Sequence, residues 1–258
     1  MNKLLKGARP IHFKFNYDLE LYQNFSKDFD YWILNSKLNV KGLPEPNYIV
    51  SGITDSFNQL YGLYNKFGIF KGEYGYHKLT LNNDRITYNL KEADCIIVSH
   101  PFSADGLSSM SKIETADSYN KPIFIDCAFF GICDNVDFDF RKFKNIKTIA
   151  FSLSKTFGTG FHRVGKIFTL DKFPVSVYEE WGYQMLSNAE VHYKLIKTIG
   201  PDDTFARYRE KQIKICNDLN LIPSDTVIFG LDYTERYKSY NRGNVNRICI
   251  SELLKEEQ

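Results

Sequence analysis

The chain has 258 residues, with 33 Lys and Arg against 31 Asp and Glu, so its formal net charge is +2 at pH 7. This near-balance argues against a dedicated nucleic-acid-binding protein, which would carry a strong basic excess. The 43% hydrophobic and 25% charged residues are typical of globular proteins and argue against disorder. The length suits one large domain, or a domain with a small companion, around a sizeable core.

Targeting and metal-binding signals are missing from the sequence. No apolar run approaches the ~18 residues of a membrane helix, and the N-terminus shows no secretory h-region. The cysteines are odd in number and scattered, without a C-x-x-C pair, and the five histidines are dispersed; the cysteines are Cys95, Cys127, Cys133, Cys216 and Cys249. We therefore expect a cytoplasmic protein with reduced thiols, no membrane segment and no metal site.

Hydrophobic patterning predicts alternating helices and strands in the first part of the chain. After Thr54, apolar residues recur at helical spacing, and Gly68 is expected to end that helix. Short continuous apolar runs predict strands buried on both faces at 95–98, 122–125, 148–151 and 167–170, with a polar helix near 109–119. This alternation predicts an α/β fold with a mostly parallel sheet flanked by helices.

The pattern changes after about residue 174. Residues 177–198 and 204–220 have helical spacing, and residues 226–231 and 245–251 resemble strands. The second half is therefore predicted to form a helical arm and a small α+β cap.

The segment around Lys155 contains the residues that are predicted to be catalytic and to bind a phosphate. Lys155 follows a predicted buried strand, with Ser152 three residues before it, Arg163 eight residues after it, and glycines between them. In open parallel sheets ligands bind at the carboxyl ends of strands, so Lys155 should project into a cleft. A lysine there can condense with an aldehyde, and the hydroxyl and guanidinium groups can hold a phosphate.

This segment resembles the lysine signature of the fold-type I pyridoxal-phosphate-dependent aminotransferases (class I/II). The resemblance implies that pyridoxal 5′-phosphate forms a Schiff base with Lys155, while Ser152 and Arg163 hold its phosphate. It also implies a large cofactor-binding domain at 20–200 and a small, trimmed C-terminal α+β domain at 201–258, with residues 1–19 packed on the latter. The alternative is a surface lysine in a chance Ser–Arg frame.

Two upstream segments resemble other parts of the same family. In Val50-Ser51-Gly52-Ile53-Thr54-Asp55, the resemblance implies that Gly52, Ile53 and Thr54 form a phosphate cup at a helix N-terminus. The alternative is that Thr54 is an ordinary N-cap. Asp126, at the end of a predicted strand, resembles the aspartate that keeps the pyridine nitrogen protonated, although an aspartate there often only caps a turn.

Three further resemblances rest on shorter patterns. Tyr74, with Tyr76 as second choice, resembles the aromatic residue over the cofactor ring, although core packing would also explain either tyrosine. Arg247 resembles the arginine that binds the substrate carboxylate, a task suited to a bidentate guanidinium; the alternative is an exposed arginine on an edge strand. Ser187-Asn188 resembles the segment that reaches the neighbouring subunit's site.

The sequence departs from the family at two positions. The asparagine that contacts the cofactor's phenolic oxygen would fall at Ser103, and the tyrosine with the same target is replaced by Phe129. Phe129 cannot donate a hydrogen bond, and Ser103 has a shorter reach; His100, nearby, is a possible substitute donor. These departures leave cofactor binding plausible and put efficient transamination in doubt.

The predicted function is a compact aminotransferase that acts on amino acids and keto acids, with Lys155 and Asp126 as catalytic residues, and the resemblance implies a homodimer. The same parts also serve pyridoxal-phosphate lyases and decarboxylases. A degenerate relative that binds the cofactor without turnover is a further alternative. An unrelated phosphate binder is disfavoured because no Walker-type loop or G-x-G-x-x-G motif is present.

Overall fold

The computed structural model describes residues 19–176 and 186–255. Its helices are α1 Leu19–Leu34, α2 Ile53–Leu63, α3 Tyr76–Thr80, α4 Met110–Asp117, α5 Leu186–Thr198, α6 Asp203–Asp218 and α7 Ser251–Leu254. Its strands are β1 Asn47–Val50, β2 Phe67–Ile69, β3 Ile86–Thr87, β4 Cys95–Ser99, β5 Ile123–Cys127, β6 Ile146–Ser152, β7 Gly165–Thr169, β8 Ile222–Pro223, β9 Phe229–Asp232 and β10 Asn246–Cys249. Within these described residues no helix is long and apolar enough to cross a membrane.

Seven of these strands form one sheet in the described part of the chain, in the order β1-β7-β6-β5-β4-β2-β3. Strands β3, β2, β4, β5 and β6 run parallel, whereas β7 is antiparallel to β6 and β1 is antiparallel to β7. Every residue of β4 and β5 is buried, because helices cover both faces of a parallel sheet. The predicted α/β fold with a mostly parallel sheet is confirmed.

The second sheet is small and antiparallel, in the order β10-β9-β8. The strands that were predicted at 226–231 and 245–251 are present but shorter, because Ser251 already begins α7 and β9 starts only at Phe229. Of the predicted helices after residue 174, α5 and α6 lie in the described part, and 177–185 lies outside it. The division at residue 200 stays a prediction, and its N-terminal part, 1–18, also lies outside the described residues.

The prediction that Gly68 ends a helix is wrong. Helix α2 ends at Leu63, and Gly68 lies in the buried strand β2. A Cβ on Gly68 would lie 2.9 Å from the Cβ of Ala93 and 3.0 Å from Leu90. The glycine therefore lets the strand pack closely against the segment that precedes β4, a long-range contact that helical spacing cannot reveal.

The core of the described residues contains many aromatic side chains beside a larger number of aliphatic ones, and the aromatic ones account for much of the 16% aromatic content. Phe25 and Phe29 of α1, together with Phe130, Phe138 and Phe151, are almost completely buried. Phe130 makes edge contacts with Phe138 and Phe151 at centroid distances of 5.3 and 5.0 Å. Such pairs stabilise the fold by about 0.5–1.5 kcal/mol each beyond the burial of their area.

Candidate active site

The strand directions bring five chain segments to one edge of the large sheet. Ser99 pairs with Asp126 in the parallel β4–β5 register, and Ser152 pairs with Gly165 in the antiparallel β6–β7 register. Gly165 also pairs with Val50, so the end of β1 lies at the same edge. Because β7 returns antiparallel, Arg163 just before it lies beside residues that follow β6.

A cavity of about 260 Å³ opens at this edge. This is close to the lower limit of small-ligand pockets, about 300 Å³. Its walls come from the start of α2 and from the residues that follow β2, β5 and β6: Ile53, Thr54, Phe57, Tyr74, Asp126, Ala128, Ser152, Ser154, Lys155, Gly160 and Arg163. Of the predicted site residues, Ile53, Thr54, Tyr74, Asp126, Ser152, Lys155 and Arg163 line it directly.

The glycine turn forms the N-terminal end of α2. Gly52 is the N-cap residue, with a φ of +76° that L side chains rarely adopt, and a Cβ there would lie 2.9 Å from Arg163 Nη2. Arg163 Nη2 donates a hydrogen bond to Thr54 Oγ1 at 2.9 Å. The N-cap is therefore Gly52 and not Thr54. The Asp55 amide donates to the Gly52 carbonyl at 3.1 Å, which leaves the amides of Ile53 and Thr54 without an intrahelical partner. Guanidinium, hydroxyl and free amides converge here, as an anion requires.

Helix α5 holds the loop between Lys155 and Arg163. Asn188 Nδ2 donates to the Arg163 carbonyl at 3.1 Å, and Thr159 Oγ1 lies 2.8 Å from His192 Nε2. Asn188 thus contacts this chain's own phosphate-side loop; a role towards a neighbouring subunit stays a prediction, and the side chain of Ser187 lies outside the described part. No sequence pattern pointed to His192.

Asp126 is a buried carboxyl group at the centre of the edge. Its Oδ1 accepts a hydrogen bond from the Ala128 amide at 2.8 Å. Burial raises the pKa of Asp126 to about 6, although Lys155 and the Ala128 amide oppose this shift. Asp126 is buried and forms no ion pair within the described residues. A protonated ring nitrogen beside it would stabilise its carboxylate.

Lys155 projects into the space between two cavities. It lines the 260 Å³ cavity and also a neighbouring one of about 730 Å³ that is bounded by residues of α5, α6 and α7. Desolvation lowers the pKa of Lys155; Asp126 opposes this shift, and the charges of Arg247 and Arg163 reinforce it. Lys155 is nevertheless exposed to solvent, because its side chain faces these two open cavities, and solvent in them screens part of this shift. A lowered pKa favours the neutral amine that nucleophilic attack needs.

Two aromatic rings lie near Lys155: that of Tyr74, which was predicted to lie at the site, and that of Phe129, whose contact with Lys155 was not predicted. The Tyr74 ring lies 5.9 Å from Lys155 Nζ, and the Phe129 ring lies nearer, at 4.3 Å. Tyr76 stacks on Tyr74 at 6.0 Å, but its hydroxyl donates to Asn58 on α2 and it is outside the cavity lining. Tyr74 is therefore the better placed of the two tyrosines.

Ser103 and His100 do not line the cavity. The Ser103 amide donates to Ser99 Oγ at 2.7 Å, and the side chain is buried. Both ring nitrogens of His100 are occupied, by Ser109 and by the Asp137 carbonyl at 2.8 Å. His100 is thus a structural histidine, and the suggestion that it is a substitute donor to a cofactor is not supported by these contacts.

Arg247 is half-buried on β10, so it is not the exposed edge-strand arginine of the alternative reading. Its Nη1 donates to the Ser103 carbonyl, and its guanidinium lies 4.3 Å from the Phe229 ring. Phe229 packs edge-on against Phe129 at 5.1 Å. Two aromatic rings therefore connect Arg247 to Lys155. Burial lowers the pKa of Arg247 to about 10, and Arg242 reinforces the shift.

The donor set fits pyridoxal 5′-phosphate on observations of this chain. Ser154 Oγ is buried without a hydrogen-bond partner among the described residues, and so is Arg247 Nε. Unpaired buried polar groups cost free energy, and anionic ligand groups would satisfy them. The phosphate would meet Gly52, Thr54, Ser152 and Arg163, and the ring nitrogen would meet Asp126.

Comparisons with known proteins connect this geometry to a group of solved structures. None of the protein-family models matches the sequence, and no curated protein matches it either. A probable N-succinyldiaminopimelate aminotransferase from Thermus thermophilus superimposes with a TM-score of 0.67 at 13% identity, covering 91% of this chain and 82% of that chain. The histidinol-phosphate aminotransferase from Clostridium acetobutylicum gives a TM-score of 0.60 at 16% identity, covering 90% and 86%.

A lyase is among the similar structures as well. A pyridoxal-phosphate-bound C-S lyase from Staphylococcus hominis superimposes with a TM-score of 0.64 at 12% identity, covering 89% of this chain and 75% of that chain. At such low identities the likeness shows the fold alone. This chain therefore has the fold of the pyridoxal-phosphate-dependent aminotransferases and their lyase relatives, namely fold type I.

Proposed function

We propose that the protein is a pyridoxal-phosphate-dependent aminotransferase that acts on an amino acid through a Schiff base at Lys155. The observation that carries this proposal is the shared cavity in which Asp126, Ser152, Lys155 and Arg163 meet the N-terminus of α2. These residues come from separate segments, so their meeting is a property of the fold and not of one local motif.

Each residue has a defined task in this proposal. The α2 amides, Ser152 and Arg163 bind the phosphate as hydrogen-bond donors. Asp126 holds the proton on the ring nitrogen, and the bound cofactor supplies an electron sink for the substrate. The Lys155 amine would move a proton at the substrate Cα.

Arg247 would orient the substrate through its carboxylate. Nη1 is held by Ser103, and the unpaired Nε is the donor that a carboxylate would satisfy. A guanidinium that is half-buried and fixed at one nitrogen can present a defined edge to an anion.

A second candidate function is a pyridoxal-phosphate lyase or decarboxylase. Phe129 contacts Lys155 where the aminotransferase family has a hydroxyl donor, so the electronic environment of the cofactor would differ from that of a typical transaminase. The likeness to a C-S lyase agrees with this alternative. A protein that binds the cofactor without turnover is the third outcome of the test below.

We further propose a cytoplasmic homodimer. The cysteines are all free thiols, and Cys95, Cys127, Cys133 and Cys216 are buried, which supports a reducing compartment. The dimer rests on the family resemblance and is tested separately.

The proposal is tested first by cofactor binding. Protein loaded with pyridoxal 5′-phosphate should show a visible absorbance band, and Lys155→Ala should abolish it, because Lys155 is the one lysine among the described residues that line this cavity. Lys142→Ala, which removes an exposed lysine paired with Glu114, is the matched control and should retain the band. A colourless wild-type protein that ignores the added cofactor would refute the assignment.

Amino acids are then added one at a time to the loaded protein. Transamination would replace the band by that of the amine form of the cofactor and release a keto acid. Release of carbon dioxide, or of an elimination product with ammonia, would favour the decarboxylase or lyase. Absence of any product with a stable band would favour a binding protein without turnover.

A further inference from the structure

A buried glutamate, Glu73, lies beside the candidate site and has no role so far. Its carboxylate is hydrogen-bonded on both oxygens: Oε1 accepts from Ser99 Oγ at 2.5 Å and from the Tyr74 amide at 2.8 Å, and Oε2 accepts from the Ser99 amide at 2.9 Å. Glu73 is 5% exposed and forms no ion pair within the described residues. Burial of a carboxyl group that has three hydrogen-bond donors and no cation costs folding free energy, so its presence here calls for an explanation.

The hydrogen bonds continue from Glu73 to the candidate substrate site. Ser99 Oγ donates to Glu73 and accepts from the Ser103 amide at 2.7 Å. The Ser103 carbonyl in turn accepts from Arg247 Nη1. Glu73, Ser99, Ser103 and Arg247 thus form one continuous chain of contacts, which we call the Glu73 relay.

A second contact leads from Glu73 to the aromatic ring that faces Lys155. The amide of Tyr74 donates to Glu73 Oε1, so the carboxylate fixes the backbone from which the Tyr74 ring extends into the cavity. Ser99 also pairs with Asp126 in the sheet. One carboxylate therefore contacts both the backbone of Tyr74 and the strand residue that pairs with Asp126.

We propose that Glu73 is a positioning residue that fixes the guanidinium of Arg247 through Ser99 and Ser103, and the ring of Tyr74 through the Tyr74 amide. The three contacts favour the ionised carboxylate, because Ser99 Oγ, the Ser99 amide and the Tyr74 amide all donate to it. A glutamine would place its amide group against an N–H or O–H donor and break at least one contact. The role in substrate binding rests on the proposed function, whereas the coupling to Arg247 does not.

Burial raises the pKa of Glu73 to about 7, although the three donors from Ser99 and Tyr74 oppose the shift. The three hydrogen bonds therefore stabilise the carboxylate against a substantial desolvation penalty. Removal of one partner should weaken this stabilisation strongly.

The test compares two variants that cut the relay at different points. Glu73→Gln removes the negative charge that strengthens the hydrogen bonds of both arms, whereas Ser99→Ala removes the Ser103 contact and leaves the Tyr74 amide bonded to Glu73. Glu92→Gln, which changes an exposed glutamate paired with Lys66, is the matched control. Thermal unfolding of each variant establishes that it folds, and if Glu73→Gln does not fold, Ser99→Ala decides the matter.

The first readout needs neither cofactor nor substrate. The Nε–H signal of Arg247 is followed by NMR in protein with ¹⁵N-labelled arginine and is assigned with Arg247→Lys. We expect its exchange with water to accelerate at least tenfold in both relay variants, with the Arg163 signal and the Glu92→Gln protein unchanged. Exchange within twofold of wild type in both folded variants would overturn the proposal.

The second readout uses the loaded protein and the amino acid identified by the panel. Ser99→Ala should raise KM about tenfold with the dissociation constant of pyridoxal 5′-phosphate unchanged, whereas Glu73→Gln should raise both because Tyr74 also moves. Equal effects of the two variants on cofactor binding would contradict the two-arm arrangement. If wild-type protein binds no cofactor, the proposed function fails while the exchange experiment still tests the relay.

Discussion

The residues at the carboxyl edge of the sheet owe their chemistry to burial. Asp126 and Glu73 are acids whose pKa burial raises to about 6 and about 7, and desolvation lowers the pKa of Lys155. Each shift favours the neutral form, because a low-dielectric surrounding penalises charge. Ionisable groups perturbed in this way and gathered around a cavity mark a functional site more often than a structural one.

The titration of Asp126 has a measurable consequence for the stability of cofactor-free protein. Its pKa rises from 3.8 to about 6 on folding, so the folded state binds the proton more tightly and stability falls as pH rises through this window. Asp126→Asn should remove this fall. At pH 7.5 the variant should be more stable than wild type, by up to roughly 3 kcal/mol, and at pH 3.5 the two should agree.

Urea unfolding of wild type and Asp126→Asn at both pH values measures the difference. Glu73 titrates in an overlapping window, and the charge of Asp126 contributes to the raised pKa of Glu73. Its removal in Asp126→Asn therefore lowers the pKa of Glu73, which adds to the difference in the same direction. A variant that is less stable than wild type at both pH values would contradict the burial argument.

At the scale of elements, the turn from β1 into α2 shows how backbone conformation builds a site. Gly52 combines a left-handed φ with the close approach of Arg163, so that the first amides of α2 and a guanidinium face one point. The antiparallel strand β7 is equally important, because its return places Arg163 and Gly165 beside Ser152. The phosphate side of the site thus depends on the directions of β1 and β7.

Replacement of Gly52 tests this turn. In Gly52→Ala the added Cβ would be strained at a φ of +76° and would lie 2.9 Å from Arg163 Nη2. We expect a loss of roughly 1–2 kcal/mol in the free energy of unfolding and at least a tenfold weaker affinity for pyridoxal 5′-phosphate.

Gly62→Ala is the matched control, because Gly62 lies in the same helix and, outside that helix's own backbone, none of the described residues comes within 4 Å of its Cβ position. Alanine is the better helix former, so this variant should be as stable as wild type or more stable. Urea unfolding and cofactor titration measure both variants. Unchanged cofactor affinity in Gly52→Ala would show that the turn at Gly52 does not contribute to phosphate binding.

The whole molecule combines the seven-stranded sheet with the small sheet of β8, β9 and β10, and the two meet around the candidate site. Arg247 and Phe229 come from the small sheet, Ser103 and Phe129 from loops of the large one. The guanidinium of Arg247 is therefore placed near Lys155, across the rings of Phe229 and Phe129, only when both sheets are assembled.

The proposed homodimer is tested on the whole molecule. Analytical ultracentrifugation should give a mass of about twice the 30.0 kDa of one chain, and dilution should weaken cofactor retention if a neighbouring subunit completes the site. A stable monomer that retains the cofactor would refute the dimer requirement.

Local sequence patterns were sufficient for the buried strands β4, β5, β6 and β7, but not for β2 and β3. Buried parallel strands are continuous apolar runs, and Asp126 and Lys155 stand at or just beyond the ends of two of them, so local pattern was sufficient. The glycine turn at Gly52 was readable for the same reason, since its signal lies within a few adjacent residues.

The tertiary structure alone decided which side chains meet. Gly68 lies in a strand that pairs with β3 and β4 and packs closely against Ala93. Ser103 supports Arg247 through its backbone instead of lining the cavity. Glu73 and Phe229 acquire their places only through partners far along the chain. Contacts of this kind depend on the packing of distant segments, and hydrophobic periodicity reports only which face of an element is buried and not what it is buried against.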